Sequence, residues 1–70
     1  MDDSVTLINA TVADDSEEIA MHGSAAEVKL MVTRNTDHLE LQATHSWYSD
    51  SSKSKTPYTN AVTAGKTYVG

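Results

Sequence analysis

Apolar and polar residues alternate along much of this chain, and the alternation predicts strands. From His38 to Tyr48, the residues Leu39, Leu41, Ala43, His45 and Trp47 fall on one face of an extended chain. His38, Glu40, Gln42, Thr44, Ser46 and Tyr48 fall on the other, the period-two signature of a half-buried strand. The preceding run puts Ala26, Val28, Leu30 and Val32 on one face and Glu27, Lys29, Met31 and Thr33 on the other. Asn35, between the two runs, suits the left-handed backbone of a tight turn. Residues 26–48 therefore read as one long β-hairpin. A helix competes for residues 24–34. Ser24 and Glu27 match a capping box, and Val28, Met31 and Val32 have helical spacing. The β-branched Val28, Val32 and Thr33, and the position of Leu30 off that stripe, favour the strand.

The flanks extend the pattern. SVTLINATVA is rich in β-branched residues, but Leu7 and Ile8 are adjacent, which predicts a bulge or a strand covered on both faces. Asp14, Asp15 and Ser16 make a turn, and Ile19 and Met21 a short strand closed by Gly23. WYSDSSKSKTPYTNA, rich in Ser, Thr and Lys, reads as a long polar loop near residues 49–60. A last short strand follows near residues 61–63 or 67–69. The expected fold class is all-β: one domain over residues 1–70, a small antiparallel β-sandwich or partly open barrel of about five strands. Val28, Leu30, Val32, Leu39, Leu41 and Trp47 are its expected core, joined by Ile8 and Ile19.

Composition adds a limit on stability. Seventy residues with no Cys and no Phe make a thin core, since a chain this short buries only roughly 60% of its unfolded surface. Partner subunits are the natural supplement. The net charge of −5 argues against autonomous nucleic-acid binding and against docking on an anionic membrane. No apolar run approaches a membrane span, and Met1-Asp2-Asp3-Ser4 does not open like a signal peptide, so a virion or the host cytoplasm is the expected location. The sequon at Asn9 is then without consequence. The charge is also uneven. Residues 1–18 hold Asp2, Asp3, Asp14, Asp15, Glu17 and Glu18 with no basic residue, whereas residues 51–70 hold Lys53, Lys55 and Lys66 with no acidic one. This reads as a solvated acidic end and a solvated basic loop; in the sharper reading, one copy's acidic end faces the next copy's basic end, a contact that builds rings or arrays.

Candidate chemistry is sparse. His38 and His45, seven apart, would face opposite sides of a strand, and His22 shares no metal-ligand spacing with either. Asp14, Asp15, Glu17 and Glu18 lack the alternating ligands and the glycine of a calcium loop. No serine sits in a nucleophile elbow. Ala64-Gly65-Lys66-Thr67 ends like a phosphate loop, but the earlier glycine such a loop needs would fall at Asn60. No catalytic residue, metal site, cofactor or small-molecule substrate is expected. The candidates for a protein interface are the aromatic and basic residues Trp47, Tyr48, Lys53, Lys55 and Tyr58, and the acidic Asp14, Asp15, Glu17 and Glu18.

The succession LINATVADDSEEIAMHGSAAEVKLMVT, then HLELQATHSWYSDSS, then NAVTAGKTYV resembles small tailed-phage virion proteins across nearly the whole chain. The likeness lies in the order of strands and turns and contains no diagnostic motif. It implies a β-sandwich that decorates or cements a capsid, or a minor head or tail component. Such a protein is non-enzymatic and works as a homo-oligomer against a capsid or other virion protein. A small acidic inhibitor that mimics nucleic acid and binds a basic host protein is the alternative, although the lysines of residues 53–66 weigh against it.

Overall fold

The structure, a computed structural model, describes residues 1–70 and consists of helices. They are α1 (Asp2–Ala13), α2 (Ser16–His22), α3 (Ala25–Gln42), α4 (Ser46–Asp50) and α5 (Thr56–Val69). There is no strand, so the expected all-β sandwich or barrel is overturned in every segment.

The hairpin of residues 26–48 is replaced chiefly by α3, and the competing capping signal is what operates. Ser24 is extended, and its hydroxyl accepts from the Glu27 backbone N–H at 3.2 Å. Val28, Val32, Thr36 and Leu39 then recur at three- and four-residue steps, and all are buried. A valine in a helix costs roughly 0.5 kcal/mol relative to alanine, whereas burying it gains roughly 1.5–3 kcal/mol. Burial wins over the β-branched preference. Asn35, assigned to a turn, lies inside α3, where its Nδ2 donates to the Met31 carbonyl and its Oδ1 accepts from Ser4.

In α1 the buried positions are Ser4, Ile8 and Thr11. The adjacency of Leu7 and Ile8, which no half-buried strand explains, is ordinary here: Ile8 is buried and its neighbour points aside. Asp2 and Asp3 in the first turn oppose the positive end of the helix dipole. The stretch expected as a polar loop, residues 49–60, holds the end of α4, a short link and the start of α5. Pro57 sits in the first turn of α5, where its missing N–H leaves no helical bond unmade. Tyr58, Ala61 and Gly65 form the buried stripe of that helix.

Two side-chain ties set the helix directions. Tyr58 near the start of α5 donates to Asp2 at the start of α1, at 2.6 Å. Tyr68 near the end of α5 donates to Asp15, just beyond the end of α1, at 2.7 Å. Helices α1 and α5 therefore run parallel. The Ser4–Asn35 bond and the packing of Leu39 with Ile8 and Tyr58 place α3 antiparallel to both. The result is a three-helix bundle of α1, α3 and α5, with α2 resting on α3 and α4 spanning one end. At 39 × 19 × 17 Å it is elongated. Its radius of gyration is 12.5 Å, against about 11 Å for a compact chain of this length.

The core is redrawn accordingly. Ile8, Val28, Val32 and Leu39 are buried as expected from sequence. Leu30, Leu41 and Trp47 are not: they are 43%, 60% and 53% exposed, because a helix turns alternate positions to different sides. Ile19 is half-buried. Tyr58 and Ala61 take their places, packed with Ile8 and Leu39. The helices approach closely at Gly65, where an added Cβ would collide with Thr36 Oγ1 and touch Ile8. That hydroxyl of Thr36 is buried with no hydrogen-bond partner.

Candidate aromatic and lysine docking surface

At the end of the bundle where α1 and α5 begin, α4 lays its side chains across the start of α5. The short helix opens at His45, whose carbonyl accepts from Tyr48 N–H at 3.1 Å. Tyr48 packs inward against the core cluster, while Trp47, one position earlier, faces solvent. The rings interlock. Tyr48 meets Tyr58 edge-on with centroids 6.0 Å apart, Trp47 meets Tyr48 edge-on at 6.3 Å, and His45 stacks on Trp47 at 6.2 Å. Each contact of this kind adds roughly 0.5–1.5 kcal/mol beyond area burial.

Two ammonium groups finish the surface. Lys53 Nζ lies 5.5 Å from the centre of the Tyr58 ring and Lys55 Nζ 5.7 Å from that of Tyr48, both within cation–π range. Lys55 also donates to the Ser51 carbonyl, and Lys53 pairs with Asp2 at 3.1 Å. The hydrogen bond from Tyr58 and the Lys53 ammonium together hold the Asp2 carboxyl below its ordinary range.

The Tyr48–Tyr58 pair is a wall between two hollows. The larger, about 340 Å³, is bounded by Leu39, Ala43, Tyr48, Tyr58 and Val62, with Glu40, Thr59 and Thr63 at its edge. The smaller, about 50 Å³, lies among Met1, Trp47, Ser51, Lys53 and Lys55 on the other side. Polar groups at the rim of the larger one are engaged already. Thr59 and Thr63 hydroxyls donate to carbonyls one turn back in α5, and Glu40 pairs with Lys66 at 2.9 Å. What the larger hollow offers is apolar wall and aromatic face; the two lysines lie in the smaller hollow, across the tyrosine wall. The larger hollow can hold an apolar side chain, and the smaller offers ammonium groups over aromatic rings.

The sequence-derived interface residues thus divide into two groups. Trp47, Tyr48, Lys53, Lys55 and Tyr58 come together at one pole. Asp14, Asp15, Glu17 and Glu18 gather at the opposite pole, around the α1–α2 turn. There, Asp14 accepts from the Ser16 backbone N–H at 3.0 Å and from its hydroxyl at 2.7 Å, bonds that hold its carboxyl below the ordinary range. Asp15 ties Tyr68, and Glu18 lies 3.2 Å from His22. No group of three or more metal-ligating side chains converges anywhere in the chain. The opposite charges expected to meet between copies are partly used within one copy, Lys53 on Asp2 and Lys66 on Glu40. Sequence reasoning passed over Asp2 as a solvated acid, and over Leu39, Ala43 and Val62 as cleft walls. The i, i+4 spacing of Leu39 and Ala43, continued through Tyr58, Ala61 and Val62 beyond Pro57, was the signal available.

No family model matches the chain, and neither a curated protein nor a solved structure gives a significant match. No helix is long and apolar enough to cross a membrane.

Proposed function

We propose that this chain is a non-enzymatic protein-docking domain that receives its partner on the aromatic and lysine surface of α4 and α5. The observation that carries the reading is Trp47. The chain's single tryptophan is 53% exposed, in a small hollow shared with two lysines and separated by the Tyr48–Tyr58 wall from a larger apolar cleft. Tryptophan and tyrosine are over-represented among the residues that dominate binding energy in protein interfaces. A chain with so little core material has reason to bury that tryptophan against something.

The order of strands that resembled tailed-phage virion proteins belongs to helices here, so the resemblance adds no support, and protein assembly is as far as the reading goes. The inhibitor alternative has a charged cluster at the far pole, but α2 is seven residues long, roughly 10 Å, too short to copy the phosphate ladder of a duplex.

A photo-crosslinking amino acid in place of Trp47 tests the reading in cells that make the protein. We expect a discrete protein adduct there and none when the same group replaces the exposed Thr67. Equal or absent trapping at both positions would overturn the docking surface. A trapped capsid or tail protein would place the docking in a virion.

A further inference from the structure

We propose that the outward face of α3 is a contact between two copies of this chain, packed antiparallel about a two-fold axis. The inference uses a different surface from the docking reading above and stands apart from it.

Helix geometry defines the face. Leu30, Arg34, Asp37 and Leu41 follow one another at steps of four, three and four residues, so they line one side of α3. With about 3.6 residues per turn, that side lies across the helix from the buried Val28, Val32, Thr36 and Leu39. All four residues are exposed, the leucines at 43% and 60%. A rise of about 1.5 Å per residue sets the two leucines about 16 Å apart, with the charged pair between them.

The charges say what covers this face. Arg34 is the chain's single arginine. Neither it nor Asp37 has an ionic partner within the chain, whose ion pairs are His22–Glu18, Lys53–Asp2 and Lys66–Glu40. The order leucine, arginine, aspartate, leucine is its own complement when read backwards. In an antiparallel contact centred at the level between Asn35 and Thr36, Leu30 stands beside Leu41 of the second copy. Arg34 then stands beside Asp37 of the second copy. The two-fold axis repeats each contact, so two leucine pairs flank two arginine–aspartate pairs. A parallel pairing in register would instead set Arg34 on Arg34 and Asp37 on Asp37, which like charges forbid. The guanidinium fork matches a carboxylate with two parallel hydrogen bonds, the form of ion pair best suited to an interface. The leucines supply apolar area, and the charges fix direction and register. Such a self-complementary contact closes at two copies.

Sedimentation of the full-length protein over a wide concentration range tests the assignment, with circular dichroism reporting that each variant keeps its helices. We expect a dimer that this face carries no further. Arg34→Asp or Asp37→Arg alone sets like charges side by side and should weaken the dimer roughly tenfold or more. Both substitutions in one chain exchange the charges and should restore it. A mixture of the two single variants should form a mixed dimer, because each supplies the charge that the other lacks. Leu41 is exposed in the monomer, so Leu41→Ala should spare the fold and weaken only the association.

Orientation is read separately. The chain has no cysteine, so Leu30→Cys and Leu41→Cys each introduce a single thiol. Under an added oxidant the two variants together should form a disulfide-linked dimer, and neither should do so alone. Should a charge variant unfold, this cysteine pair decides. A chain that stays monomeric at every concentration overturns the proposal. So does a dimer indifferent to both charge reversals, a mixture of single variants that forms no mixed dimer, or a disulfide formed by Leu41→Cys alone. The crosslink at position 47 judges the docking surface independently of every one of these outcomes.

Discussion

The two poles of the bundle use the same device to different ends. At each, a tyrosine of α5 donates to an aspartate of α1 or its following turn: Tyr58 to Asp2, Tyr68 to Asp15. Tyr58 is buried, packed against Ile8, Leu39 and Ala61, and its hydroxyl bond secures a wall already held by apolar contacts. Tyr68 is half-buried, and α2 beside it has no fully buried residue. The first tie finishes a core and leaves a recess above it. The second anchors a protrusion. The buried aromatic ring lies at the first pole, while the core towards the second is made of the smaller Val28 and Val32.

The largest effect should separate the core from its surface. Leu39→Ala removes a buried side chain from the cluster beneath the cleft and should cost about 2–5 kcal/mol, enough to unfold a domain of this size in a denaturant titration. Leu41→Ala, two residues on in the same helix but 60% exposed, should change stability by less than about 0.5 kcal/mol. An unfolded Leu41→Ala protein would restore the strand face that alternation suggests.

Next in size is the α3–α5 crossing that joins the poles. Gly65→Ala drives a methyl group into Thr36 Oγ1 and should cost about 1–3 kcal/mol. Removing that oxygen as well, in Gly65→Ala with Thr36→Ala, should recover part of the loss, because the two positions touch and their effects cannot add. Thr36→Val alone should be neutral or stabilising in thermal melts, since it replaces an unpartnered buried hydroxyl with a methyl group of similar shape.

These positions also mark what was legible in the sequence. The capping pair Ser24 and Glu27 and the spacing of Val28, Met31 and Val32 announced the start of α3, yet the β-branched residues and the alternation through Leu30 and Leu41 argued louder. The alternation from Leu39 to Trp47 is a coincidence of two elements: Leu39 and Leu41 fall on different sides of α3, and Trp47 belongs to α4. In α1 two of three buried residues, Ser4 and Thr11, carry hydroxyls, satisfied by Asn35 and by the Leu7 carbonyl. In α5 the buried stripe is Tyr58, Ala61 and Gly65. Hydropathy marks neither stripe, because close helix packing there depends on small side chains and on hydroxyls bonded within the fold. The aromatic and lysine residues could be named from sequence as candidates, but their assembly into one surface depended on α4 and α5, which a loop reading of residues 49–60 removes.

The smallest effect is the response of the two ties to pH. Asp2 is held below its ordinary range by the Tyr58 hydroxyl and by Lys53. Its contribution is therefore present above the unfolded carboxyl pKa and is lost as pH falls through the folded value. Asp14, held low by Ser16, behaves likewise, so acid loosens both poles. Alkali acts on the two poles through different groups. Lys53 is raised above its ordinary value by Tyr58 and Asp2, so its contribution at the first pole also fades as pH rises through the raised folded value. Tyr68 is raised above its ordinary value by its bond to Asp15, so its contribution is complete below the unfolded tyrosine pKa and disappears as pH rises through the raised folded value. Residue-resolved amide exchange should show protection near the start of α1 falling in acid and, through Lys53, in alkali, and that near the end of α5 falling in alkali through Tyr68. Asp2→Asn should flatten the acid response at the start of α1 and leave Ser16 unaffected. Tyr68→Phe should abolish the alkaline response at the second pole alone. An alkaline response that survives Tyr68→Phe would mean that the protruding end is held by something other than its tie to Asp15.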